Sequence, residues 1–219
     1  VNSLESGIIF NNTDDSGNVV FEFESLPRLA QSSPVFGTAV CDINGDGHQD
    51  IYLVQNFFGP QPETGYMDGG VSILLLGRGG GEFSVLDPQN SGLIVPDDAT
   101  SLTINDFNND NRPDFVVGVN NGKPKVFMNK MKSEMGSIRF NNFFEKKNYF
   151  GTRIWLHFDD GFVQLYEVVS SASYLSQSSP IVFYGRDKKK SELSYIRVRW
   201  PNNETEIFNH DNLLISVNR

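Results

Sequence analysis

The sequence is poor in the groups from which most catalytic and metal centres are built. Among 219 residues there is one cysteine, Cys41, and there are three histidines, His48, His157 and His210. A single thiol excludes an intrachain disulfide and any zinc centre made from several thiolates. Cationic side chains are also scarce, 18 lysines and arginines against 27 aspartates and glutamates, for a formal charge of −9. That balance argues against nucleic acid as the main partner, since phosphate contacts need a basic surface. Long apolar runs are missing too: Ile73 to Leu76 is already bounded by Ser72 and Gly77, far short of the ~18 to 20 residues of a spanning helix. The chain starts at Val1 without a basic-then-apolar leader, and is expected to be a mature product, an excised segment or a fragment of a longer protein.

What is present suits a folded β protein. Hydrophobic residues make up 38% and are joined by 20 glycines, enough for a sizeable core. Gly, Pro, Asn and Asp recur at short intervals between runs rich in Val, Ile, Phe, Leu and Tyr, which is strand punctuation. The runs are 18–23, 37–41, 51–55, 71–76, 115–119, 125–129, 153–158, 162–169, 181–184, 195–200 and 205–208. Helical periodicity is absent over any ten-residue window, so the whole chain is expected to be β with long loops. In 195–200 the alternation puts Ile196, Val198 and Trp200 on one face and Arg197 and Arg199 on the other. Asp159, Asp160 and Gly161 spell a hairpin turn, and Pro201 to Asn203 another. Composition shifts over 130–149, where lysines gather among Met, Ser, Asn and Phe. The expected division is therefore an N-terminal strand segment 1–35, a repeat region 36–135 and a separate unit 150–219.

The repeat carries the chemistry. Asp42, Asn44, Asp46, Gly47, His48 and Asp50 match Asp106, Asn108, Asp110, Asn111, Arg112 and Asp114, the second copy beginning 64 residues after the first. Oxygen-bearing side chains fall at positions 1, 3, 5 and 9, with Gly or Asn at 6, where the chain turns sharply and uses the left-handed region. Calcium takes six to eight hard oxygens at about 2.3–2.6 Å, and those side chains with the carbonyl of position 7 supply most of them. Position 12 is Leu53 or Val117 rather than glutamate and strand-like runs flank both loops, so an EF-hand is rejected. The alternative is that both loops are ordinary turns.

On these loops the region 36–135 resembles the FG-GAP or VCBS repeats of β-propellers. The resemblance implies one calcium site from Asp42, Asn44, Asp46, the His48 carbonyl and Asp50, and a second from Asp106, Asn108, Asp110, the Arg112 carbonyl and Asp114. It implies about two structural calcium ions, and a partial propeller whose remaining blades belong to a longer parent chain or to other subunits. Asn111 stands where glycine is usual. Further on, Gly151 to Arg153, Ser173 to Pro180, Phe183 to Gly185 and Val198 to Pro201 resemble the ASPIC/UnbV domain, with Ser173 in place of the usual glycine. The expected fold is thus all-β, VCBS-like blades followed by a small β-rich ASPIC/UnbV module. That family carries no activity to transfer. The run Tyr174 to Ser179 offers hydroxyls and an amide to a partner; the alternative is that they order a loop against the Trp200 strand.

No local pattern joins a histidine to a serine or to Cys41, which is expected to be a buried, inert thiol. His157 is expected on a strand surface, Asp159 and Asp160 in a solvated turn, and 186–190 in a solvated basic loop. Asn11 to Thr13 and Asn203 to Thr205 lie in or form glycosylation sequons. The combined expectation is a calcium-binding, non-enzymatic adhesion or interaction module, extracellular, periplasmic or at a cell surface, taking a protein or glycan ligand. The competing expectation is an enzyme, or the noncatalytic C-terminal part of a secreted one, with active groups at propeller loops or in a missing region; acid and base groups converging between residues 55–70 and the Tyr174 loop would favour it.

Overall fold

The computed structural model describes residues 5–14, 16–140, 149–169, 173–185, 191–209 and 214–215. A hairpin of β1 (Gly7–Asn11) and β2 (Phe21–Ser25) comes first. Next come β3 (Val35–Cys41), β4 (Asp50–Gln55), β5 (Ile73–Gly77) and β6 (Phe83–Leu86), an antiparallel sheet in chain order. A single helical turn, α1 (Pro88–Ser91), is capped by Asp87 and ended by left-handed Gly92. It leads to a second antiparallel sheet of β7 (Ala99–Asn105), β8 (Asp114–Val119) and β9 (Lys125–Phe127).

The two sheets repeat each other in detail. Pairing slips once between Val35 and Gly37, and once between Ala99 and Ser101, at matching places. They share one core, in which Tyr52, Val54 and Leu74 meet Leu102, Phe115 and Val117, with the Tyr52 and Phe115 rings 5.5 Å apart, edge to face. Strand β4 is buried along its whole length. Its odd residues Ile51 and Leu53 turn to another cluster with Ile73 and Leu75, which is why its interior, Ile51 to Val54, is apolar without a break rather than alternating.

The remaining strands build a sandwich. β10 (Met135–Phe140) lies in the stretch expected to be a boundary, and it pairs antiparallel with β13 (Ile181–Gly185) and parallel with β16 (Leu214–Ile215). Facing it is a sheet of order β12 (Val163–Glu167), β11 (Arg153–Phe158), β14 (Leu193–Arg199), β15 (Thr205–Asn209). Ile138, Ile154, Leu156, Ile196 and Val198 fill the space between, fully buried. Trp200 lies just past β14 and packs on that core, while Arg197 lies over the Trp155 ring on the outer face, 4.2 Å from its centroid. The chain is therefore all-β, as expected, with several sheets; among the described residues none closes on itself.

Candidate functional site

Each acidic loop closes a hairpin between the first two strands of its sheet. Cys41 and Asp50 are the last cross-strand pair in one, Asn105 and Asp114 in the other. The backbone is left-handed at positions 4 and 6 of both loops: Gly45 and Gly47 at φ 75° and 92°, Asn109 and Asn111 at 60° and 63°. Only residues that tolerate this region allow the coil to close.

The coil gathers backbone N–H groups onto the carboxylates. Asp42 Oδ1 accepts from Gly45 N at 2.7 Å and Asp46 N at 3.2 Å. Its Oδ2 accepts from Gly47 N at 2.9 Å and from Gly185 N at 2.6 Å. Asp50 Oδ2 accepts from Ile43 N and Asn44 N, and its Oδ1 from Gly77 N. Asp46 Oδ1 accepts from His48 N, and the Asn44 amide donates to Asp46 Oδ2 at 2.9 Å. Both Asp42 and Asp50 are fully buried. Burial pushes Asp42 up to about 6 and Asp50 up to about 7, against the pull of their N–H partners and helped by the neighbouring carboxylates. Among the described residues no ion pair reaches Asp42, Asp46 or Asp50.

The second loop has the same frame with different charges. Asp106 Oδ1 accepts from Asp110 N and Oδ2 from Asn111 N, while Asp114 accepts from Phe107 N and Asn129 N. Here, however, the Arg139 guanidinium on β10 pairs with Asp106 Oδ2, on a side chain with no exposed surface. Arg112 Nη1 stands 3.4 Å from Asp110 Oδ2. Asn111 Oδ1 accepts from Ser137 Oγ at 2.8 Å, which gives the asparagine at position 6 a use that glycine does not have.

All ten expected site residues thus fall in two loops. The His48 and Arg112 backbones help shape them by donating to position 5. Among the described residues no three His, Cys, Asp or Glu side chains are already gathered as a metal cage. The donors of the first loop, three carboxylates with an amide oxygen and a carbonyl, are of the hard-oxygen kind that calcium takes, and among the described residues they pair with no cation. Those of the second loop do not fit as they stand, because a guanidinium is paired to the first ligand.

Both loops face the sandwich. Gln164 Nε2 donates to the carbonyls of Gly47 and Gly185, and its Oε1 accepts from Tyr166 Oη at 3.0 Å. A Cβ on Gly185 would overlap the Gly45 backbone. Asn129 joins the loops to each other, donating its backbone N–H to Asp114 and its amide to the Ile43 carbonyl at 2.9 Å. None of Gln164, Arg139, Ser137 or Asn129 carries a local sequence signal; only Gly185 sits in a motif noted above.

The serine run is spent on structure, though not against the Trp200 strand. Ser173 Oγ accepts from Thr38 N and donates to the Thr38 carbonyl, Ser176 Oγ accepts from Leu102 N, and Ser178 Oγ accepts from Ile104 N. The run therefore staples the sandwich to β3 and β7, the first strand of each repeat, and the Ser173 departure supplies one of the bonds. Of the remaining candidates, Cys41 is buried with its thiol pushed well up by burial, and His157 stacks on Tyr195 at 4.2 Å. Asp160 and Asp159 cap the backbone at Phe162 and Glu192 in an exposed turn. What meets between 55–70 and the Tyr174 loop is aromatic: the Phe36 ring lies 5.4 Å from Phe57 and 6.4 Å from Tyr174. His210 and the basic run 186–190 lie outside the described residues.

Residues 145–213 match the family described as ASPIC and UnbV. The match bears out the expected C-terminal domain and does not extend to the acidic loops. No curated protein matches the chain.

Proposed function

We propose that the chain is a calcium-stabilised, non-enzymatic interaction module, in which an ion held by the first loop locks the repeat sheets to the ASPIC/UnbV domain. One observation carries the proposal: Asp42, Asp46 and Asp50 share one loop, with two carboxylates fully buried and no cationic partner among the described residues. Backbone N–H groups supply dipoles but no net charge, so a divalent ion offsets what burial costs these groups. Asp42, Asn44, Asp46, Asp50 and the His48 carbonyl would hold it, and calcium would supply charge neutralisation there rather than chemistry. Asp42 also accepts from Gly185 and Gly47 from Gln164, so ordering this loop orders the domain docked on it. In this reading the two repeat sheets are blades of a propeller shared with further blades, the setting is extracellular, periplasmic or cell-surface, and the ligand is a protein or glycan.

Thermal unfolding with calcium and with excess chelator tests the stabilisation, alongside calorimetric titration of calcium into the stripped protein. Calcium at a hundredfold excess over Kd is expected to add about 2.7 kcal/mol, and Asp46→Ala is expected to remove both the heat of binding and the shift in Tm. Equal Tm values with calcium and chelator, and no binding heat, reduce the first loop to a turn.

A further inference from the structure

We propose that the second loop is held without metal, its cation being the Arg139 guanidinium delivered by β10, so that the chain takes calcium only in the first loop. This narrows the two ions that the repeat spacing implies to one. The number one rests on the calcium reading of the first loop; the exclusion of metal from the second does not.

The loops are matched closely enough to isolate the difference. In each, the position-1 carboxylate presents Oδ2 to the N–H of position 6, Gly47 or Asn111. The same oxygen takes one more donor from the sandwich. For Asp42 it is the neutral N–H of Gly185, at the end of β13; for Asp106 it is the guanidinium of Arg139, on β10. β10 and β13 are paired neighbours, with Met135 opposite Gly185, so one strand pair serves both loops and, among the described residues, brings a charge to only one.

Arg112 brings a second guanidinium to Asp110, the position-5 carboxylate. Each loop holds three aspartates, and Arg112 and Arg139 together carry the charge of one calcium ion. The second loop therefore reaches with two arginine side chains the balance that the first, which pairs with no cation among the described residues, reaches with a divalent ion. Displacing Arg139 would break an ion pair on a fully buried carboxylate and expel a guanidinium from a site where it is already hydrogen-bonded, so calcium gains little by entering. The Asn111 side chain adds to this, since its bond to Ser137 ties the loop to the same strand that carries Arg139.

The test counts ions. Calcium is titrated calorimetrically into the stripped chain, and bound terbium is counted by luminescence, for the parent, Asp110→Ala, Arg139→Gln and Arg139→Gln/Asp110→Ala. The parent is expected to bind one ion, with count and Kd unchanged by Asp110→Ala. Arg139→Gln is expected to bind two, and the added site to disappear in the double variant. A parent that binds two ions and loses one with Asp110→Ala overturns the proposal. So does an Arg139→Gln chain whose count does not rise. If Arg139→Gln folds only with metal, the ions bound per refolded chain, followed by near-UV circular dichroism, give the same count. Should the first loop take no calcium, the expected counts become zero for the parent and one for Arg139→Gln, so failure of the two readings is told apart.

Discussion

The two acidic loops share spacing, hairpin position, left-handed residues and most of the N–H bonds to their carboxylates, yet among the described residues a cation pairs with only one of them. In one, a strand of the sandwich offers a backbone N–H; in the other, the neighbouring strand offers an arginine. The comparison teaches that a repeat of ligand-like residues specifies a shape, and that the charge inside that shape is set by whatever packs against it. On the proposals above, loops of one spacing serve as a metal site and as a metal-free clasp within one chain.

The sharpest way to break this comparison is to remove the arginine. In excess chelator at neutral pH, Arg139→Ala is expected to lose about 3–5 kcal/mol, because it strands the Asp106 charge in a buried position. Asp46→Asn in the first loop is expected to cost less than about 1 kcal/mol under the same conditions, since no ion pair is lost. Urea unfolding of both variants measures the difference; equal losses would mean that Arg139 carries no special charge role.

A second approach uses pH. Asp42 and Asp50 have folded values of about 6 and 7 against 3.8 for the free side chain. The native state therefore binds more protons than the unfolded chain in that interval. The stability this gives is fully present below about pH 4 and is lost as pH rises through 6 to 7. With chelator, the protein is expected to be less stable at pH 8 than at pH 5 by on the order of 2–4 kcal/mol. Calcium, binding the ionised carboxylates, is expected to abolish or reverse that fall. Urea midpoints at both pH values, with and without calcium, check it, and a chelated protein with no such fall would show the first loop already compensated.

The smallest effect sharpens the role of position 6. Asn111→Gly restores the residue that the first loop has and removes the bond to Ser137, for an expected loss of about 1 kcal/mol. The same change made together with Ser137→Ala should add little further loss, and a double-mutant cycle measures the coupling.

Much of the architecture is legible in the sequence. The runs 153–158 and 205–208 coincide with β11 and most of β15, because alternation against a one-sided core is a local property of the chain. Both acidic loops were legible because each is written in contiguous residues, and the C-terminal domain because its spaced motifs from Gly151 to Pro201 resemble the ASPIC/UnbV family. β1, β6 and β10 were not. β10 lies in a lysine-flanked stretch, and its buried residues Ser137, Ile138 and Phe140 make no clean alternation; its strand state depends on pairing with β13, far along the chain. Gln164 on β12 was equally silent, a polar residue buried because a loop from another sheet lies over it.

By itself the sequence determined most of the segments that extend and where the chain coils into two oxygen-lined loops, since these follow from neighbours within about ten residues, while the C-terminal domain was read from spaced motifs that resemble a family. Only the tertiary structure decided that the serine run staples two repeats, that Gly185 and Gln164 brace the first loop, and that Arg139 neutralises the second. The physical reason is that Coulomb energy and desolvation depend on distance in space and on burial, and residues 106 and 139 become neighbours only once β10 has paired with β13, far along the chain.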